Sequence, residues 1–166
     1  MNDGFIDSAV ILSKNALSEC RQLSDSLQTV MSYGKAVFER EKEAFWAGKL
    51  LNRSALKDAA QKLNVIGSQV PLETDIWELA LGLAILRNDG PSVLMAWRRY
   101  FEMAPGDSSR ASAGELTLIM SKLLPSWNGN KPDYESSRAL VKAFAASRLF
   151  GYAKLIAANT QLPDRD

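Results

Sequence analysis

The chain has 166 residues, of which 46% are hydrophobic, and its 20 basic residues balance 19 acidic ones. This near-neutral charge gives no general attraction to nucleic acid or to an anionic bilayer. Histidine is absent and Cys20 is the only cysteine. The sequence therefore excludes an intramolecular disulfide, and it predicts neither a zinc site nor a histidine base.

Two features of the sequence bear on location. No run of apolar residues approaches the 18 or so that a membrane span needs, and Met1 to Asp7 has two acids and no cationic region. We therefore expect a cytoplasmic protein with no membrane partner and no nucleic-acid partner.

The first helix is predicted from about Asp3 to Ser32, because apolar residues recur there at intervals of three or four, with one gap at Ser13. These residues are Ile6, Val10, Leu17, Cys20, Leu23, Leu27, Val30 and Met31. Tyr33-Gly34 predicts a break, followed by a second helix from about Lys35 to Leu51. The charge run from Glu39 to Glu43 in that helix is interpreted as a solvent-exposed face.

The next three helices are delimited by caps, glycine and proline. Ser54 is predicted to cap a third helix that ends at about Val65, before Gly67. The fourth, about Thr74 to Arg87, is apolar nearly all round and is predicted to be the centre of the fold. Asn88-Asp89-Gly90 ends it, and a fifth helix runs from Pro91 to before Pro105.

A sixth helix is predicted from about Ser109 to Pro125, and a last one from about Asp133 to Asn159. Between them lies the irregular loop from Ser126 to Pro132, which contains Trp127. We expect Trp127 either to be exposed as a contact for a partner or to fold back over the last hairpin. The prediction is thus an all-α fold of about seven helices.

The middle of the chain repeats itself. A shift of 34 residues places Gly48 on Gly82 and Pro71 on Pro105. The same shift places Ala59, Ala60, Leu63 and Ile66 on Val93, Leu94, Trp97 and Tyr100.

Residues 72–105 resemble one unit of the tetratricopeptide-repeat family, and residues 45–71 resemble a weaker copy. The residues that carry the likeness are Trp77, Leu81-Gly82, Asn88-Asp89, Ala96, Trp97 and Ala104-Pro105. The chain departs from the family pattern in the spacing from glycine to proline and in the bulky Tyr100.

The resemblance implies antiparallel helix hairpins stacked as a short right-handed array within a single domain, residues 1–166. Residues 1–34 then form a capping helix, residues 35–71 and 72–105 two hairpins, residues 106–159 a divergent C-terminal hairpin, and residues 160–166 a tail. The alternative is an irregular helical bundle in which the glycine and proline spacing is coincidental.

No motif for phosphate binding or for a nucleophilic serine occurs in the sequence. Ser54-x-x-Lys57 and Ser126-x-Asn128 fit two signatures of penicillin-recognising serine enzymes, but the third signature, K-T-G, is absent. We therefore predict no catalytic residues, no cofactor and no metal. An enzyme of unfamiliar type would use Glu39 and Glu43, although carboxylates at this spacing more often face solvent.

The leading functional hypothesis is a non-enzymatic adaptor, scaffold or chaperone that holds a peptide or helix of another protein. In the tetratricopeptide family the groove is lined by the first helix of each hairpin. The resemblance therefore implies partner contacts at Glu78, Leu79, Gly82, Ile85 and Leu86, unless these residues belong to the core. Trp127 is a further candidate contact.

The alternative function is structural. The apolar stripe of the long first helix is longer than a short array of helix hairpins can bury. This stripe is therefore a candidate surface for forming a homo-oligomer or a larger assembly.

The tryptophans give a stability prediction. Trp77 and Trp97 are expected to face inward on the two helices of one hairpin, so replacing either with alanine should cost about 3–5 kcal/mol. If Trp127 is exposed, Trp127→Ala should leave the melting temperature within a few degrees of the parent. Thermal unfolding of the three variants measures the difference.

Overall fold

The computed structural model describes residues 3–103, 117–118, 120–127 and 129–160, with side chains from Arg21 onward except at residues 102, 103 and 126. These ranges are largely helical and contain no strand, so the predicted all-α class is confirmed. The helices are α1 (Asp3–Trp46), α2 (Arg53–Gln69), α3 (Thr74–Leu86), α4 (Gly90–Met103), α5 (Tyr134–Ala146) and α6 (Phe150–Ala158). Residues 120–123 are also helical and lead into a 3-10 turn, Leu124–Ser126.

Helix α3 lies at the centre of the fold, as its apolar sequence predicted. It contacts α1, α2, α4 and α6. Ten of its thirteen residues are buried, so almost no face of the helix is left to solvent. A helix with neighbours on so many sides needs apolar residues all round rather than a single apolar stripe.

Helix α1 is continuous across Tyr33 and Gly34, so the break predicted there is wrong. Gly34 is instead a contact point between helices. A Cβ atom at Gly34 would lie 2.9 Å from Cδ2 of Leu79 on α3, which is closer than side chains pack. The absent side chain lets Leu79 reach the backbone of α1.

Two more glycines lie inside helices at close contacts. Helix α2 runs past Gly67 to Gln69, so the predicted end near Val65 is wrong, and a Cβ atom at Gly67 would lie 2.9 Å from the ring of Trp77. At Gly82 a Cβ atom would lie 2.6 Å from the ring of Phe38 of α1, so this ring packs directly on the backbone of α3.

The helices α1, α3 and α5 end in the same way. Each is followed by a residue in the left-handed region, namely Gly48 (φ 66°), Asn88 (φ 56°) and Arg148 (φ 61°). In each case the next backbone N–H donates to a carbonyl five residues earlier, over 2.9–3.1 Å. This is the Schellman arrangement, which satisfies carbonyls at the end of a helix.

The last predicted helix, Asp133 to Asn159, is in fact two helices, α5 and α6. The two pack against each other as a hairpin. The sequence hides the break because Arg148 occupies the left-handed position that glycine usually takes. Of the predicted sixth helix, residues 109–116 and 119 lie outside the described residues.

The start of α2 is built differently from the prediction. Its cap is Asn52 rather than Ser54, because the Asn52 side chain accepts a hydrogen bond from the N–H of Ala55 at 3.0 Å. The N–H of Asn52 donates to Glu41 of α1 at 2.6 Å. Glu41 is only 3% exposed and also pairs with Arg40, so the run from Glu39 to Glu43 is not a uniformly solvent-exposed face.

The repeat is only partly visible in the structure. Gly48 lies in the turn after α1, with open space where a side chain would be, whereas Gly82 is buried within α3. The second helices of the two predicted hairpins are more alike, because the residues that the 34-residue shift superposes, Leu63 of α2 and Trp97 of α4, are both fully buried. The hairpins α1–α2 and α3–α4 are each in contact, and a stacked tetratricopeptide-like array stays a prediction.

The turn between α3 and α4 is joined to the loop that follows the 3-10 turn. Gly90 donates its N–H to the carbonyl of Trp127 at 2.7 Å, and Gly129 donates to the carbonyl of Asn88 at 2.8 Å. The side-chain oxygen of Asn88 accepts from the indole N–H of Trp127 at 3.2 Å and from the amide of Asn159. These bonds connect three segments that are distant in sequence.

Trp127 is only 3% exposed, so of its two predicted alternatives the structure shows folding back, and the indole packs on the α3–α4 turn. Trp77 and Trp97 are buried, as expected. The ring of Trp97 lies 4.4 Å from that of Phe101 and 4.9 Å from that of Phe144, measured between centroids. All three tryptophans therefore belong to the core.

The structure changes the expected effect of Trp127→Ala. Because Trp127 is buried and its indole N–H is hydrogen-bonded, we expect a loss of about 3–5 kcal/mol, as for Trp77→Ala and Trp97→Ala. Denaturant unfolding at 25 °C measures these losses. Trp46→Ala is the control, since Trp46 is 54% exposed and should cost much less. Equal losses for Trp127→Ala and Trp46→Ala would contradict the burial of Trp127.

Gly90→Ala tests the junction of the two turns. A Cβ atom at Gly90 would lie 1.9 Å from the carbonyl oxygen of Leu124, so the two backbones must separate. We expect a loss of at least about 1–3 kcal/mol in the free energy of unfolding. Gly151→Ala is the matched control, because nothing lies near a Cβ atom at Gly151 and the change should be neutral or slightly stabilising. Equal stability of the two variants would show that the backbones are not in contact.

Candidate functional site

Two adjoining depressions lie between α1, α3 and α6, with volumes of about 290 and 340 Å³. They share Phe38, Glu78 and Tyr152, and we refer to them together as the α1–α3 groove. Helix α1 contributes Lys35, Phe38, Glu39 and Lys42; α3 contributes Asp75, Glu78 and Leu79; and α6 with the turn before it contributes Arg148 to Tyr152 and Leu155.

The floor of the groove is aromatic. The rings of Phe38 and Tyr152 lie 6.1 Å apart, and both reach the backbone of α3 at Gly82, which has no side chain to hold them away. Burial, followed by the nearby charge of Glu78, raises the pKa of Tyr152 well above its usual range. Tyr152 is therefore a neutral phenol at neutral pH.

The rim of the groove carries charges of both signs. The ammonium group of Lys42 lies 5.2 Å from the centre of the Phe38 ring and pairs with Glu39. Lys35 and Asp75 are exposed. A rim of this kind offers partners for both the donors and the acceptors of a bound peptide, and it does not select for a polyanion.

Glu78 is the half-buried acid in the middle of the groove. Burial raises the pKa of its carboxyl group, and the charge of Asp75 raises it further. The ionised form of Glu78 is therefore less stable in the folded protein than in the unfolded chain. Such a group costs stability at neutral pH, and a ligand that donates to it would recover part of that cost.

The structure distributes the predicted contact residues among several places. Glu78 and Leu79 line the groove, and Gly82 lies beneath it, covered by Phe38 and Tyr152. Ile85 and Leu86 are buried among neighbouring helices. Trp127 is packed on the α3–α4 turn, so it does not reach the groove.

Sequence reasoning missed Phe38 and Tyr152, which form the floor. Phe38 lies in a predicted helix whose most prominent feature is its run of charges. Tyr152 lies in the segment that the sequence predicts as one undivided last helix. A usable signal was Gly82, because a glycine inside an apolar helix costs about 1 kcal/mol and so indicates a bulky neighbour. The sequence does not say which aromatic residues supply it.

The groove brings together aromatic, acidic and basic side chains. Among the described residues, no group of three acidic or cysteine side chains is placed to hold a metal ion. Glu39 is paired with Lys42, and Glu43 lies exposed on α1 outside the groove. The groove thus has an aromatic floor, a rim that carries charges of both signs, and one half-buried titratable acid, Glu78.

No protein-family model, curated protein or solved structure matches this chain. None of the described helices combines the length and the apolar character needed to cross a membrane. In the predicted apolar stripe of α1, Leu23, Leu27 and Val30 pack against the core. The side chains of residues 3–20 lie outside the described part, so self-association through this helix stays a prediction.

Glu78→Gln tests the cost of the buried acid. Because the folded-state pKa of Glu78 is raised, its destabilising effect is complete above that pKa and vanishes below the unfolded value of about 4.3. We expect Glu78→Gln to melt at a higher temperature than the parent at pH 7, with a difference that shrinks toward pH 4. Thermal melts across this range measure it.

The control for that experiment is Glu43→Gln, which removes an exposed carboxylate of α1 away from the groove. It should not reproduce the stabilisation at neutral pH. An equal gain in both variants, or a gain for Glu78→Gln that does not depend on pH, would contradict the assignment of the cost to the groove.

Proposed function

We propose that this chain is a non-enzymatic protein-binding adaptor or scaffold that holds a peptide or a helix of a partner protein in the α1–α3 groove. The observation that carries the proposal is the aromatic floor of Phe38 and Tyr152 beside an exposed aromatic, Phe150, which is 59% exposed. Exposed aromatic surface next to a recess is typical of protein-binding sites.

The form of the groove favours a peptide or helix over a small metabolite. Its two depressions adjoin and are open, and their volumes of about 290 and 340 Å³ lie near the lower end of the range for ligand pockets, about 300–1,000 Å³. Two adjoining recesses suit two anchor side chains on one face of a helix or along an extended peptide. The charges of the rim then pair with polar groups beside the anchors.

The resemblance to tetratricopeptide repeats supports the same site. Helices α1 and α3 stand first in the two predicted hairpins, and in that family the first helices line the ligand groove. Helix α6 adds Tyr152 to the floor and Phe150 to the edge, which the resemblance did not imply. A cytoplasmic location, expected from the sequence, belongs to this proposal.

The test compares proteins captured from cell extract by the immobilised full chain and by two variants. Phe150→Ala removes the exposed aromatic at the edge of the groove, and Tyr134→Ala removes a similarly exposed aromatic, 47% exposed, at the start of α5. We expect a captured protein that is lost with Phe150→Ala and retained with Tyr134→Ala, measured by quantitative mass spectrometry. Capture that is indifferent to Phe150→Ala would refute the groove as the binding site.

A further inference from the structure

A second surface lies near the other end of α3, where the turn between α1 and α2 meets the α3–α4 turn. It is a cleft of about 580 Å³, which we call the turn cleft. Its wall includes Phe45, Trp46 and Leu50 from the end of α1 and the turn after it. It shares no residue with the α1–α3 groove.

The apolar side chains of the turn cleft are unusually exposed. Leu50 is 99% exposed and Trp46 is 54% exposed, with the Trp46 ring edge-on to Phe45 at 5.3 Å. Leu50 therefore makes almost no contact within the chain. An isolated exposed leucine is ordinary, but an exposed leucine and tryptophan at the mouth of one cleft form an apolar contact surface.

The exposure of Leu50 is fixed by the backbone on both sides of it. Lys49 donates its N–H to the carbonyl of Ala44 at 2.9 Å, which closes the end of α1. On the other side, Asn52 is tied to the buried Glu41 at 2.6 Å. The turn thus holds Leu50 outward between two anchored residues.

The charges around the turn cleft are of one sign. Lys49, Arg53 and Lys131 line it, and among the residues that the structure describes no aspartate or glutamate does. All three cations are exposed, and none forms an ion pair with a described residue. The adjoining depression, which shares Lys49 and Leu50 with the turn cleft, contains two acids: Glu41, which is already paired with Arg40, and Glu43. In a chain of net charge +1, this is a local excess of positive charge.

We propose that the turn cleft binds an acidic segment of a partner protein that carries a bulky apolar anchor. The anchor, a leucine, phenylalanine or tryptophan, packs against Trp46 and Leu50. Carboxylates on either side of the anchor meet Lys49, Arg53 and Lys131. The exposed apolar surface supplies affinity, while the unpaired cations supply orientation and faster association.

The shape of the turn cleft favours this partner over the other anionic ones. A nucleic acid is held by a row of cations along its backbone, whereas the turn cleft has three around an apolar recess. A bilayer surface is met by a convex patch or an amphipathic helix face, whereas this apolar surface borders a concavity lined by Leu86 and Asn88.

The test selects short random peptides displayed on phage against the immobilised full chain. Counter-selection uses the double variant Leu50→Ser/Arg53→Glu, whose changes lie at exposed positions. We expect enriched peptides to be acidic and to contain a leucine, phenylalanine or tryptophan. Fluorescence anisotropy should show affinity for the parent that falls at least about tenfold in the double variant and also falls with added salt.

Two control variants change matched positions elsewhere. Lys57→Glu reverses an exposed charge on α2, and Leu72→Ser removes a leucine that is 79% exposed in the turn before α3. Both should bind the selected peptides as the parent does, and so should Phe150→Ala in the α1–α3 groove. Circular dichroism and thermal melts establish that all variants remain folded.

The proposal is overturned if the selected peptides are neutral or basic, or if they bind the double variant as well as the parent. Loss of binding only in Phe150→Ala would place the peptides in the α1–α3 groove, which supports the proposed function and removes the turn cleft as a site. Binding of single-stranded DNA or of anionic vesicles that is lost in the double variant would assign the cations to those ligands instead.

Discussion

The carboxamide oxygen of Asn88 accepts hydrogen bonds from Trp127 and Asn159, which lie 39 and 71 residues further along the chain. The backbone carbonyl of the same residue accepts from Gly129 at 2.8 Å. Trp127 and Asn159 are buried, so an unmade bond to either would leave a buried polar group unsatisfied. Asn88, which also ends α3, thus joins the α3–α4 turn to two later segments, one around Trp127 and one around Asn159.

Close packing around α3 follows from the same arrangement. With the C-terminal segment held at Asn88, helix α6 lies against α3, and Tyr152 meets Phe38 over Gly82. Gly34 of α1 and Gly67 of α2 likewise leave space for side chains of α3. Leu79 packs on Gly34, and Trp77 packs on Gly67. Small residues on three helices thus admit large ones from neighbouring helices, and this interlocking gives the core its specific geometry.

The two surfaces proposed for binding arise near opposite ends of α3. The α1–α3 groove lies over the part of α3 from Asp75 to Gly82, which aromatic side chains cover, and its rim carries charges of both signs. The turn cleft lies at the last turn of α3, where Leu86 and Asn88 meet the turn after α1, and the charged residues described along it are all positive. The two surfaces differ in charge, so under the two proposals they suit different partner segments.

Local sequence signals determined the helical class, the central place of α3 and the burial of Trp77 and Trp97, because composition and apolar periodicity act through near neighbours. Only the tertiary structure decided where the helices end, whether Trp127 is buried and which residues form the floor of the groove. In the sequence Gly34 and Gly67 each predict a helix end, because glycine is common where helices end. Glycine also occurs inside helices where a neighbouring side chain packs on the backbone, and only the tertiary structure shows which of these two roles a glycine has. Arg148 ends α5 without a glycine, and Trp127 is buried despite its loop. Phe38 and Tyr152 became the floor of a groove through a contact across more than a hundred residues, and no pattern within one helix encodes which distant side chain will arrive.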